Sequence, residues 1–131
     1  MIVDTSVVVA VIAEEPDALS FLDAMDAAEV LRLSAGTYLE ICVVLFRKQS
    51  TPLSQRFDDL LESVSKIVIE PVTFEQAKIA RQAYLDYGKG SGHRANLNYG
   101  DCFSYALAKV KREPILFKGN DFMHTDLRPA V

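Results

Sequence analysis

Cysteine is scarce. The 131 residues hold two, Cys42 and Cys102, too few for a disulfide-stapled secreted scaffold and too isolated for a zinc site. Both lie in apolar segments and are expected to be reduced core thiols. No uninterrupted apolar run approaches the ~18 residues of a membrane span, and Met1-Ile2-Val3-Asp4 puts an acid where a signal peptide carries bases ahead of its apolar stretch. A cytoplasmic protein with no membrane role is the expectation. Positive charge is also short: 14 Lys and Arg against 18 Asp and Glu leave a net charge of −4. That excludes a protein that grips nucleic acid through bulk positive charge, so any such role falls to local patches or bound cations. Internal repeats, linkers and low-complexity stretches are absent too, and the length suits one domain spanning residues 1–131.

What is present is apolar substance. Hydrophobic residues make up 50% of the chain, and a mean hydropathy of +0.11 is high for a domain this small. Part of that surplus is expected at the surface as an interface.

Short β-branched runs alternate with helical periods along the whole chain. Ile2-Val3 reads as a strand ending at Asp4-Thr5-Ser6, good N-cap residues for a helix over Val7–Ala13. Pro16-Asp17 opens a helix to about Ala28. Val30–Leu33 is a strand, and Ser34 caps a helix from Ala35 to about Lys48 that is apolar nearly all round and so expected to be buried. Pro52–Ser65 is a helix, Ile67–Ile69 a strand, and Thr73 caps a helix through Tyr87. Gly88–Arg94 reads as the longest flexible stretch. A helix from Asn98 or Tyr99 to about Lys111, a strand over Pro114–Phe117 and a turn at Lys118–Asp121 follow. Strands separated by helices call for an α/β fold: a small, twisted parallel sheet of four to five strands flanked by helices on both faces.

In such sheets ligands gather beyond the carboxyl ends of the strands, and here the residues at those ends are mostly acids. Asp4 ends the first strand, Glu40 lies two turns into the helix after the second, Asp101 opens the helix before the last strand, and Asp121 follows that strand. Each has a plainer reading: Asp4 as a helix cap, Asp101 as the partner of Asn98 in a capping arrangement, Asp121 as a turn acid. Glu40 resists one. Its neighbours are uncharged, a buried unpaired carboxylate is costly, and Arg32, Arg47 and Lys48 are the only bases before residue 56. A cluster of carboxylates needs a cation to stay ionised, and oxygen donors without His or Cys select Mg²⁺ or Mn²⁺. Such ions catalyse phosphodiester hydrolysis. Thr5 or Ser6 could orient a carboxylate in that site, although capping the next helix is the role expected first.

Bases that could guide a substrate cluster elsewhere. Lys78, Arg81, Lys89, His93 and Arg94 form the most basic region, and the glycine-rich loop within it reads either as a phosphate guide or as an ordinary solvated loop. It follows a helix and lacks the nucleotide-binding spacing G-x-x-x-x-G-K-[ST]. Tyr87 and Tyr99 flank it and could stack bases, with core packing expected for at least one of them.

Asp4-Thr5-Ser6, Tyr38-Leu39-Glu40, Leu97-Asn98-Tyr99-Gly100-Asp101-Cys102 and Phe117-Lys118-Gly119-Asn120-Asp121-Phe122 together resemble the PIN-domain ribonuclease toxins of the VapC family, over nearly the whole chain. The resemblance implies a PIN-domain-like fold and a cytoplasmic, Mg²⁺- or Mn²⁺-dependent endoribonuclease. It implies a homodimer, neutralised by a cognate VapB-type antitoxin through which the complex contacts operator DNA. By position, Asp4, Glu40, Asp101 and Asp121 match the family's acids as metal ligands, with Asp126 as an outer ligand. Two rivals stand beside this: a Mg²⁺-dependent phosphatase or phospho-acceptor domain with Asp4 as nucleophile, and a non-catalytic binding module. A dehalogenase-like phosphatase would want an acid where Ser6 stands.

Overall fold

A computed structural model describes residues 1–49 and 51–131. The element order is β1 (Ile2–Val3), α1 (Thr5–Ile12), α2 (Ala18–Ala27), β2 (Leu31–Ser34), α3 (Ala35–Arg47), α4 (Thr51–Ser63), β3 (Ile67–Glu70), α5 (Phe74–Tyr87), α6 (Asp101–Lys111) and β4 (Ile115–Leu116), then a short 3-10 turn at Phe122–His124. The four strands form one parallel sheet in the order β3-β2-β1-β4, with Ile2 beside both Arg32 and Ile115, and Val3 beside Leu116.

The two-residue period of a strand sorts the core onto both faces of this sheet. Val3, Leu31, Leu33 and Leu116 join the cluster with Val7, Phe21, Ile41, Leu45 and Phe57 from α1 to α4. Ile2 and Ile115 point the other way, into the cluster with Ala83, Leu97, Tyr105, Leu107 and Phe122. The open edge of β4 is covered by the chain's tail, where Ile115 N–H donates to Arg128 O and Ala130 N–H to Ile115 O. Among the described residues no helix is long and apolar enough to cross a membrane.

Three expectations change. Helix α3 is not buried all round. Thr37, Ile41 and Leu45 face inward, while Leu39 is 62% and Phe46 80% exposed, with Val43 between them. An apolar-rich helix carries two apolar stripes and only one can meet the core, so the surface surplus expected from the hydropathy is found largely here. Helix α6 begins at Asp101 rather than Asn98, because the two residues cap each other: Asp101 N–H donates to Asn98 Oδ1 at 2.9 Å and Asn98 N–H to Asp101 Oδ2 at 2.8 Å. The glycine-rich loop is pinned at both ends. Lys89 N–H donates to Leu97 O, Leu97 N–H donates to Tyr87 O, and Ala95 and Leu97 are fully buried. Cys102 is buried as expected, Cys42 only partly, and both are free thiols.

Candidate active site

Parallel strands all end on one side, and the turns that leave β1 and β4 meet there with the first turn of α6 and the second of α3. A cleft of about 170 Å³ results, lined by Asp4, Thr5, Ser6, Glu40, Asn98, Asp101, Lys118, Asp121 and Phe122. The four acids expected to converge therefore line one cleft, with Thr5 and Ser6 beside them.

Each acid has its own support. Asp4 is the N-cap of α1, accepting from Ser6 N–H at 3.0 Å, so the capping role and the place in the cleft belong to the same carboxylate. Its Oδ2 also accepts from Ser6 Oγ at 2.7 Å, and Ser6 Oγ in turn accepts from Lys118 N–H at 3.0 Å. Its Oδ1 accepts from Ser104 Oγ at 2.8 Å. Asp101 is held by the Asn98 amide, and its residue is only 7% exposed.

Glu40 reaches the cleft from α3, and two glycines let α3 and α6 approach closely enough for this. A Cβ on Gly36 would overlap the ring of Phe103, and one on Gly100 would collide with the Glu40 carboxylate itself. Glu40 Oε2 is the one buried side-chain polar atom among the described residues without a hydrogen-bond partner. Such a group is rare in folded proteins and costs stability unless something completes it.

No arginine, lysine or histidine does so. Among the described residues none of the ion pairs involves Asp4, Glu40, Asp101 or Asp121; Arg32 is engaged by Glu70 at 2.7 Å and Glu113 at 2.8 Å. Lys118 borders the cleft, but its ammonium is taken by Glu15 and Asp17. Uncompensated negative charge shows in the acidities. Burial first, then the Asp4 carboxylate, push Glu40 above the ordinary glutamate range, with the Thr5 hydroxyl pulling the other way. Burial and Asp4, with smaller contributions from Asp121 and Glu40, push Asp101 up to about 7 against the lowering effect of the Asn98 amide.

The donor set is all oxygen, which suits a hard divalent cation. The carboxylates are not yet a cage: among the described residues no three His, Cys, Asp or Glu side chains are set to hold one ion. Like charges repel, and Asp4 and Asp101 are each turned to hydroxyl or amide donors.

The remaining expected residues lie apart. Asp126 is outside the cleft lining, accepting from Tyr105 Oη at 2.6 Å and Lys109 Nζ at 2.8 Å. Lys89 and Arg94 are exposed on the pinned loop and are not among the cleft residues. His93 packs edge-on against Tyr87, with ring centroids 4.9 Å apart, and its Nδ1 accepts from Ala95 N–H. Tyr87 is packed and Tyr99 is 77% exposed, standing against Phe103. Sequence reasoning missed Ser104 and Thr37, both fully buried and joined at 3.1 Å. Each lies one helical turn from a cleft acid, Ser104 after Asp101 and Thr37 before Glu40, and that i, i+3 spacing was the available signal.

A family model described as the PIN domain matches residues 1–127. Ribonuclease VapC28 of Mycobacterium tuberculosis (strain ATCC 25618 / H37Rv) is 51% identical over 131 residues, 100% of this chain and 98% of that protein. Ribonuclease VapC42 of the same strain is 48% identical over 130 residues, covering 99% and 98%. Among solved structures, Mycobacterium tuberculosis VapC20, described as a sarcin-ricin loop cleaving toxin, shares the fold with a TM-score of 0.75 at 16% identity over 98% of both chains. A chain from a toxin-antitoxin complex of Klebsiella pneumoniae does so with a TM-score of 0.70 at 16% identity, over 95% of this chain and 92% of that one. With its four acids around one cleft at the ends of the parallel strands, this chain belongs to the PIN-domain family and, within it, to the VapC branch.

Proposed function

We propose that the protein is a toxin endoribonuclease that hydrolyses RNA phosphodiester bonds with Mg²⁺ or Mn²⁺ held by Asp4, Glu40, Asp101 and Asp121. One observation carries this reading: four carboxylates share a cleft in which no base is paired with any of them, and a buried Glu40 oxygen has no partner. The relatives named ribonucleases over nearly their full length support the substrate class. When bound, a divalent cation supplies Lewis acidity, lowering the pKa of a water and offsetting charge on the phosphodiester. The chain's own part is to hold the acids in place: Ser6 fixes Asp4, the Asn98 amide fixes Asp101, and Lys118, engaged by Glu15 and Asp17, leaves the negative charge for the cation.

Incubating the protein with structured RNA tests the reading. Cleavage is expected with Mn²⁺, none with EDTA, and a loss of at least about 100-fold in Asp4→Asn, which keeps the helix cap because asparagine caps as well as aspartate. Metal-dependent cuts that persist in Asp4→Asn would overturn the assignment of the site, and release of phosphate from a small ester without RNA cleavage would favour a phosphatase.

Substrate guidance is assigned to Lys89, His93 and Arg94, supported by the exposure of the two long cations. Lys89→Ala with Arg94→Ala is expected to weaken RNA binding and reduce the slope of log K against log salt by about 1.4, from roughly 0.7 per phosphate contact on a single strand. An unchanged slope would return the loop to an ordinary solvated role. A cognate antitoxin is the proposed partner, by likeness to the toxin-antitoxin complex, and a homodimer the proposed state. The exposed α3 stripe of Leu39, Val43 and Phe46 supports an apolar contact surface. The net charge of −4 supports operator contact made through the antitoxin alone.

A further inference from the structure

Resting on the metal reading above, we propose that Ser104, backed by Thr37, is the positioning residue that aims Asp4 at the cation. A carboxylate offers about four acceptor positions, two on each oxygen. Asp4 Oδ2 accepts from both Ser6 N–H and Ser6 Oγ, which fills it. Oδ1 accepts from Ser104 Oγ alone and keeps one position open. Asp4 is therefore set to ligate through Oδ1, and Ser104 fixes where that open position points.

The direction of the second bond follows. A serine hydroxyl has one hydrogen, and that of Ser104 is spent on Asp4, so across the 3.1 Å contact Thr37 donates and Ser104 accepts. Thr37, Ser104 and Asp4 form a one-way chain in which both hydroxyls are fully buried, with no solvent to offer an alternative partner. Each donor polarises the next, strengthening the bond to the carboxylate. The arrangement mirrors the other oxygen, where Lys118 N–H donates to Ser6 Oγ and Ser6 Oγ to Asp4. The Thr37–Ser104 chain bridges α3 and α6, the helices that carry Glu40 and Asp101, and so ties the orientation of Asp4 to the spacing of the other two acids.

The test uses the full chain and Mn²⁺ itself as the probe. Free Mn²⁺ is followed by electron paramagnetic resonance during titration, and RNA cleavage is measured alongside. Ser104→Ala is expected to weaken Mn²⁺ binding by about 10-fold or more, as loss of a group supporting a ligand does, and to lower kcat with KM for RNA unchanged. Thr37→Val, which removes the hydroxyl at nearly constant shape, is expected to move both readouts in the same direction by less, and Thr37→Ser to restore wild-type values. Should Ser104→Ala fail to fold, the Thr37 pair decides. Mn²⁺ affinity within twofold of wild type in Ser104→Ala or, failing that, in Thr37→Val would overturn the positioning role and leave the metal reading standing. A wild-type chain that binds no Mn²⁺ would overturn the metal reading, and this inference with it.

Discussion

Replacing Asp101 with asparagine is expected to stabilise the metal-free protein above neutral pH while ending its cleavage of RNA. The carboxyl's pKa rises from the ordinary 3.8 to about 7 in the folded chain, because it is buried and faces Asp4. Between those two values the folded state keeps a proton that the unfolded state has released, so wild-type stability falls as pH rises through the window, at about 1.4 kcal/mol per unit. Above about 7 the carboxylate is charged in both states and the whole cost remains, of the order of 4 kcal/mol. Asparagine carries no such slope and still offers an oxygen to the Asn98 amide. Urea unfolding in EDTA from pH 4 to 8 should therefore give curves that coincide at the acid end and diverge in favour of Asp101→Asn at the alkaline end. Parallel curves would refute the burial argument. Adding Mn²⁺ should raise the wild-type Tm and leave that of Asp101→Asn nearly unmoved, since a cation stabilises only the ionised group.

The second large effect is expected at Gly100. Its backbone is ordinary helical (φ −63, ψ −41), so alanine would be tolerated there on conformational grounds and would even gain about 0.4–1 kcal/mol. What forbids it is the Glu40 carboxylate, which occupies the space a Cβ needs. Gly100→Ala should cost about 1–3 kcal/mol through overpacking and displace Glu40, with a loss of cleavage. In a Glu40→Ala background the same substitution should be neutral or stabilising. The double-mutant cycle reads the coupling directly, and additive effects would show that the two helices adjust without strain.

The acids were legible because each stands where a strand ends or where its neighbours are apolar, and the topology then had to bring them together. Asp4 shows the reach of that reasoning: cap and cleft residue are compatible because its two oxygens are served separately, by Ser6 and by Ser104. The inward stripe of α3 was not legible. Leu39, Val43 and Phe46 repeat at helical spacing as regularly as Thr37, Ile41 and Leu45, and only packing against α1, α4, α6 and the sheet chooses between them. Asp126 lies apart from the cleft lining for a similar reason. Its place in sequence is close to Asp121, but the intervening 3-10 turn carries it out of the cleft lining to Tyr105 and Lys109. Buried hydroxyls such as Ser104 and Thr37 announce nothing in composition, since their value lies in which oxygen they reach across a helix crossing.

The interior strand β1 is completed by a segment 112 residues away: Asp4 N–H donates to Leu116 O, and Lys118 N–H donates to Ser6 Oγ. Without residues 115–118, β1 keeps one unpaired edge and Ser6 loses the donor behind its bond to Asp4. Closing a loop of that length costs chain entropy before its contacts reward it, so the hydrogen-bond frame behind the first acid is whole only when the sheet is.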